Sequence, residues 1–176
     1  MSPQIGIVMG SDSDLKVMQE SAKVLEELGI SFELAVMSAH RCPDRAAEYA
    51  KTAQSRGLKA IIAAAGMAAH LAGAVAANTA LPVIGVPIKS SLDGMDALLA
   101  TVQMPPGIPV ATVAIDGARN AGILAAQIIG ASDQDTYHKL KAFKEDMKDK
   151  VEAKSARIEE IGYKEYLSQQ AKQAVK

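Results

Sequence analysis

Seven consecutive residues, Ser38-Ala39-His40-Arg41-Cys42-Pro43-Asp44, set an imidazole, a guanidinium and a thiol side by side. Imidazole is the unperturbed side chain that gives and takes protons near neutral pH. A neighbouring arginine offers a planar fork of donors matched to a phosphate or a carboxylate. The Cys42 thiol adds a third chemistry, nucleophilic attack, but no further group is identifiable to orient a Cys–His pair.

A second polar segment is Gly10-Ser11-Asp12-Ser13-Asp14. Gly10 allows close backbone approach. Ser11 and Ser13 bring hydroxyls beside the free N–H groups of a following helix, and such a helix start attracts anions. Asp14 repels a phosphate and suits a ribose diol instead. The same serines and aspartates also serve as ordinary helix caps, and both readings stand on sequence. A third segment, Gly66-Met67-Ala68-Ala69-His70, follows another apolar run. His70 either caps or braces that loop, or joins the chemistry. His138 lies in a charged tail and reads as a solvated surface residue.

These segments need elements to hold them. Five short apolar runs read as buried parallel strands: Ile5–Met9, Phe32–Met37, Ala60–Ala65, Val83–Val86 and Val110–Ile115. Between and after them, helical patterns span Asp14–Leu28, Pro43–Arg56, Ala69–Thr79, Asp93–Val102 and Ala118–Ile129. Gly29, Gly57 and Gly130 fall just past helix ends, as glycines in the left-handed conformation do. Ser11 or Ser13, and Asp93, are the expected N-caps, and Pro43 suits a first helical turn. Alternating strands and helices predict an α/β doubly wound parallel sheet, a three-layer sandwich with flavodoxin-like strand order. Ligands of such sheets bind at the carboxyl ends of the strands, where strand order reverses. All three polar segments lie at that edge, together with Pro87–Asp93 and Asp116–Arg119.

At 176 residues the chain is most simply one domain with a sizeable core. The expected layout is a domain over 1–130 and a C-terminal helical extension of it over 131–176. That charged extension carries Tyr137, Leu140, Phe143, Met147, Val151, Ile158 and Ile161 at helix-like spacings, one or two amphipathic helices. They pack either on their own domain or across a neighbouring subunit. A formal net charge of -1 argues against a nucleic-acid surface driven by bulk charge. The single cysteine excludes an internal disulfide, no Cys/His cluster has zinc-ligand spacing, and no apolar run has membrane length. A reducing cytoplasm is the expected compartment.

The strings MGSDSD (Met9–Asp14), SAHRCPD (Ser38–Asp44), AGMAAHLAG (Ala65–Gly73), LPVIGVP (Leu81–Pro87) and VQMPPGIPVATVAI (Val102–Ile115) occur in order. Together they closely resemble the PurE family, the N5-carboxyaminoimidazole ribonucleotide mutases of purine biosynthesis, from about Ile5 to Gly130. The resemblance implies a flavodoxin-like fold, no metal or organic cofactor, a small-molecule ribonucleotide substrate, and a homo-octamer with active sites between subunits. No nucleic acid or membrane partner is implied. The catalytic histidine falls on His40. Substrate binding falls on Gly10, Ser11, Ser13, Asp14, Ser38, Arg41, Gly66, His70 and Leu71. Met67 stands where a second glycine is usual, Ala72 where proline is usual, and Cys42 where threonine is usual; the last weakens any thiol mechanism. The loop Lys89–Gly94 is shorter than in many relatives.

The implied reaction needs a proton delivered to the carbamate-bearing nitrogen, which releases CO2 and the amine. Ring C4 then attacks the CO2, and loss of the C4 proton restores aromaticity. One group that gives a proton early and accepts one late suffices, and His40 fits. Arg41 and Ser11 would anchor phosphate and Asp14 ribose. The nearest rival is direct carboxylation of aminoimidazole ribonucleotide with CO2. Relatives of that type usually carry lysine after the histidine, where Arg41 stands. A more remote rival is a non-catalytic nucleotide-binding module on the same fold, such as a flavodoxin or phospho-receiver. Neither site loop has an aromatic to stack on a flavin, and Ala65-Gly66 stand where a receiver needs aspartate.

Overall fold

The computed structural model describes residues 2–174. By backbone contacts the chain forms two compact units, one ending at Tyr137 and the other beginning at His138.

The first unit is built on five parallel strands: β1 (Ile5–Met9), β2 (Phe32–Val36), β3 (Ala60–Gly66), β4 (Val83–Ile88) and β5 (Ala111–Thr112). Their order is β2-β1-β3-β4-β5. Every residue of β1 and β4 is buried, as continuous apolar runs in a sheet covered on both faces require. At the edge, β2 leaves Leu34 and Val36 well exposed.

The order reverses once. The chain steps from β1 to β2 in one direction, then from β2 to β3, β4 and β5 in the other. Right-handed crossovers therefore put α1 (Leu15–Glu27) on one face and α2 (Pro43–Thr52), α3 (Leu71–Ala76) and α4 (Met95–Val102) on the opposite one. The final helix of this set, α5 (Ala118–Gly130), packs against α1. Small residues allow that approach: a Cβ at Gly122 would overlap Val24 and meet the Ser21 carbonyl at 3.0 Å. Ser21 Oγ donates to the Ala118 carbonyl, and Arg119 pairs with Glu27 at 2.8 Å, so the two helices are also joined by polar contacts. On the other face Val8, Ile61 and Ala63 pack with Met37, Ala46, Ala50, Leu71 and Val75.

Several expected boundaries change. The predicted Val110–Ile115 strand pairs only over Ala111–Thr112. Val113 N–H still donates to the Gly85 carbonyl, but the next bond to β4 comes from Asp116 N–H to the Pro87 carbonyl. Three residues on one strand thus oppose two on the other, a bulge that ends the regular ladder. Pro87 also has no N–H to contribute. Asp93 is not the N-cap of α4: Gly94 takes that place at φ 86°, and Asp93 itself sits at φ 54°. Gly130 does not terminate α5 but is its last helical residue, with Ala131 as C-cap. Gly29, at φ 67°, does follow α1 in the expected way. The helix predicted over Ala69–Thr79 shortens to Leu71–Ala76, and the one over Pro43–Arg56 to Pro43–Thr52.

The last helix, α6 (Gln134–Ala174), is broken at Gly162, whose φ of 74° and ψ of 156° interrupt the helical path. Asp133 Oδ1 accepts from Thr136 N–H at 2.7 Å at its start. Met147, Val151 and Ile158 are exposed along it. No helix among the described residues is long and apolar enough to cross a membrane.

Candidate active site

The strand register brings the polar loops to one level. Met9 pairs with Val36 on one side and Ala64 on the other. Gly10 and Met37 therefore leave the sheet together, while Ala65 and Gly66 of β3 still pair with β4, around the point between β1 and β3 where strand order reverses. This is the carboxyl edge at which such sheets bind ligands.

In the first loop, Ser11 caps a short 3-10 turn, Asp12–Asp14, that leads into α1. Ser11 N–H donates to Asp14 Oδ2 at 3.2 Å, and Ser13 N–H donates to Ser11 Oγ at 3.4 Å. This reciprocal pair is a capping box. Ser13 Oγ also donates to Asp14 Oδ1 at 3.3 Å. Asp14 is only 8 % exposed. Burial pushes its carboxyl above the ordinary aspartate value, partly opposed by the bonds from Ser13 and Ser11. The Ser11 and Ser13 hydroxyls remain nearer the surface, 3.0 Å apart.

The second loop carries His40 and Arg41, both exposed. Arg41 N–H donates to Ser38 Oγ at 3.2 Å, and its Nη2 donates to the Gly10 carbonyl at 3.1 Å. The guanidinium thus bridges from the loop after β2 to the loop after β1. Cys42 Sγ accepts from Ser38 N–H at 3.1 Å and donates to the Ser38 carbonyl at 3.2 Å. Both contacts brace the loop, and Pro43 opens α2 at its first turn as expected.

The third loop holds Met67 at φ 53°, a conformation unfavourable for a side chain of this kind, with 61 % of the residue exposed. Gly66 lies under Ser90: a Cβ there would stand 3.2 Å from Ser90 Oγ. His70 precedes α3 but makes no side-chain cap. Its Nδ1 lies 2.7 Å from His40 Nε2 instead. Leu71 is 2 % exposed and packs in the core, so only its backbone is placed to meet a ligand.

The structure thus joins His40 to His70, Arg41 to Gly10 and Ser38, and Ser11 to Ser13 and Asp14. The imidazole contact and the Ser90 hydroxyl beside Gly66 were missed by sequence reasoning. The available signal was that both histidines, and Ser90, follow strand ends at one edge. Among the described residues no three His, Cys, Asp or Glu side chains converge as a metal site. A cavity within the second unit, lined by Lys154, Arg157 and Tyr166, holds none of the expected site residues.

A family model described as AIR carboxylase matches residues 4–150. The chain belongs to the AIR carboxylase family. Within it, the chain is similar to an N5-carboxyaminoimidazole ribonucleotide mutase of Thermotoga maritima, 59 % identical over 168 residues, 95 % of this chain and 98 % of the relative. It is also similar to a phosphoribosylaminoimidazole carboxylase of Candida albicans, 54 % identical over 172 residues. That match takes in 97 % of this chain but 30 % of the fungal protein. The crystal structure of Treponema denticola PurE superposes with a TM-score of 0.81 at 28 % identity, over 89 % of this chain and 98 % of that one. The AIR carboxylase fold of this chain is therefore the flavodoxin-like sandwich read from its pattern.

Proposed function

We propose that this chain is an N5-carboxyaminoimidazole ribonucleotide mutase of purine biosynthesis, converting that carbamate to 4-carboxy-5-aminoimidazole ribonucleotide. The observation that carries the reading is the junction made by Arg41. It ties the Gly10–Asp14 loop to the Ser38–Cys42 loop that carries His40, so an anion anchor and a proton carrier share one edge. The near full-length similarity to the Thermotoga maritima mutase supports the same reaction.

Arg41, Ser11 and Ser13 anchor the phosphate, and Asp14 takes the ribose hydroxyls. Gly10, Ser38, Gly66, His70 and the Leu71 backbone complete the substrate contacts. His40 protonates the carbamate-bearing nitrogen, the C–N bond to the carboxylate breaks, and CO2 is released beside the ring. C4 attacks that CO2, and His40 takes the C4 proton. The histidine ends as it began. Binding energy from the phosphate and ribose fixes the ring against the imidazole.

The active unit is a homo-octamer in the cytoplasm. Exposed apolar side chains on the first unit support burial against other copies: Leu34, Val36, Met95, Leu99 and Val102. The lone free thiol, Cys42, fits a reducing compartment. Sedimentation at micromolar protein reads the assembly directly.

The fungal relative's name favours a second reading, direct carboxylation of aminoimidazole ribonucleotide. An ultraviolet assay separates the two. Conversion of N5-carboxyaminoimidazole ribonucleotide without added bicarbonate is the expected result. Turnover only from aminoimidazole ribonucleotide with bicarbonate would assign the carboxylase.

A further inference from the structure

We propose that His70 is a positioning residue that sets which ring nitrogen of His40 carries a proton. The inference rests on the reading of His40 as the proton carrier. His40 Nε2 and His70 Nδ1 stand 2.7 Å apart, with ring centroids 4.7 Å apart and planes at 69°. At that separation a single hydrogen lies between the nitrogens. Two N–H groups would collide, and two bare lone pairs would repel. If Nε2 of a neutral His40 donates, its Nδ1 is bare. If Nε2 accepts, Nδ1 carries the hydrogen. Either way the tautomer of a neutral His40 is coupled to that of His70.

The two residues are not equivalent. His70 N–H donates to the Ala68 carbonyl at 2.8 Å, and its carbonyl accepts from Ala74 N–H at 2.9 Å. The next residue, Leu71, is anchored in the core. His70 is therefore presented from the fixed start of α3. His40 sits in an exposed turn between β2 and α2. Among the described residues, neither ring has another hydrogen-bond partner. The orientation of the His40 ring thus depends on His70. A group that gives and later takes a proton at neighbouring substrate atoms must present a defined nitrogen at both steps, and partners of this kind set it.

The test is the nitrogen spectrum of the full-length protein labelled with [15N]histidine. The chain has three histidines, so His40→Asn and His138→Gln assign the signals. In the wild type, at a pH high enough that the His40 signals no longer move, His40 should give one protonated and one bare nitrogen signal. In His70→Leu these should merge towards averaged positions. In His70→Asn, which can still donate or accept one hydrogen bond, they should separate again. In the mutase assay, kcat of His70→Leu should fall roughly 10- to 100-fold, beyond any KM change from the lost substrate contact, and His70→Asn should recover most of that kcat. His70→Ala provides the same spectral comparison if the leucine variant does not fold. Unchanged His40 signals in His70→Leu or His70→Ala overturn the inference. A wild type without mutase turnover would remove the proposed function, while the spectral comparison would still decide the pairing.

Discussion

Arg41 Nη2 donates to the Gly10 carbonyl at 3.1 Å, so the residue beside His40 also closes the loop that begins α1. The contact spends one of five guanidinium donors and leaves the rest for an anion. Replacing Arg41 by alanine removes charge-assisted hydrogen bonds worth about 1.5–3 kcal/mol, roughly a 10- to 150-fold rise in KM. Lysine keeps the charge but not the fork, and should recover only part of the loss. Steady-state kinetics of the two variants checks this. An unchanged KM in Arg41→Ala would remove Arg41 from phosphate binding.

Cys42 tests the thiol reading. Its sulfur accepts from and donates to the backbone of Ser38, a double role that a hydroxyl can fill. Cys42 is also the N-cap of α2 without a side-chain cap, a position at which threonine is favoured. Cys42→Thr should keep turnover within about twofold, since no step of the proposed proton transfer uses the sulfur. Its melting temperature should be equal or higher. A collapse of kcat in a folded variant would restore the nucleophile.

The elements around these residues differ in how far the amino-acid pattern reveals them. β1 and α1 are legible because their signals are local: an unbroken apolar run, a Ser–Asp capping box, and Gly29 in the left-handed conformation. The shortening of β5 is not local. It depends on a bulge and on Pro87 of the neighbouring strand, which only pairing reveals. Asp93 looks like a cap by residue type, yet the turn places Gly94 there. In the site, the loops are legible from the end of each strand. The approach of His40 to His70 is not, because their strands, β2 and β3, are separated in the sheet by β1.

The α1–α5 contact gives a stability prediction. At Gly122 a Cβ meets Val24 and the Ser21 backbone, so a larger residue must push two helices apart. Gly122→Val should cost about 1–3 kcal/mol through overpacking, which exceeds the small helix-propensity gain over glycine. The urea midpoint should fall with little change in slope. A midpoint equal to the wild type would show that the helices can separate freely.

Asp14 gives a pH prediction. Burial raises its folded carboxyl above the ordinary value of 3.8, so the folded state favours the protonated form. A raised folded value contributes stability that is complete below the unfolded value. That contribution is lost as pH rises through the folded value. Relative to Asp14→Asn, the wild type should therefore gain stability as pH falls from 7 towards 4. Urea unfolding of both proteins at the two pH values measures the difference. A difference that moves against the wild type on acidification would contradict the burial argument.

His40→Asn decides whether one histidine carries the chemistry. Asparagine is close in size and can still hydrogen-bond His70, so the loop and the Arg41 bridge to Gly10 should persist. It cannot accept a proton near neutral pH. Losing a general acid–base group costs roughly 10²- to 10⁴-fold in kcat. Nucleotide affinity should stay close to wild type, because the proposed phosphate and ribose contacts lie on Arg41, Ser11, Ser13 and Asp14. The decisive measurements are product binding by calorimetry and turnover in the ultraviolet assay, made on one preparation. Loss of both would mean that the substitution has disturbed the site rather than the proton transfer, and His40→Gln would then repeat the comparison. Near-normal turnover with intact binding would move the proton-carrying role away from His40. His70, 2.7 Å from it, would then be the next group to examine.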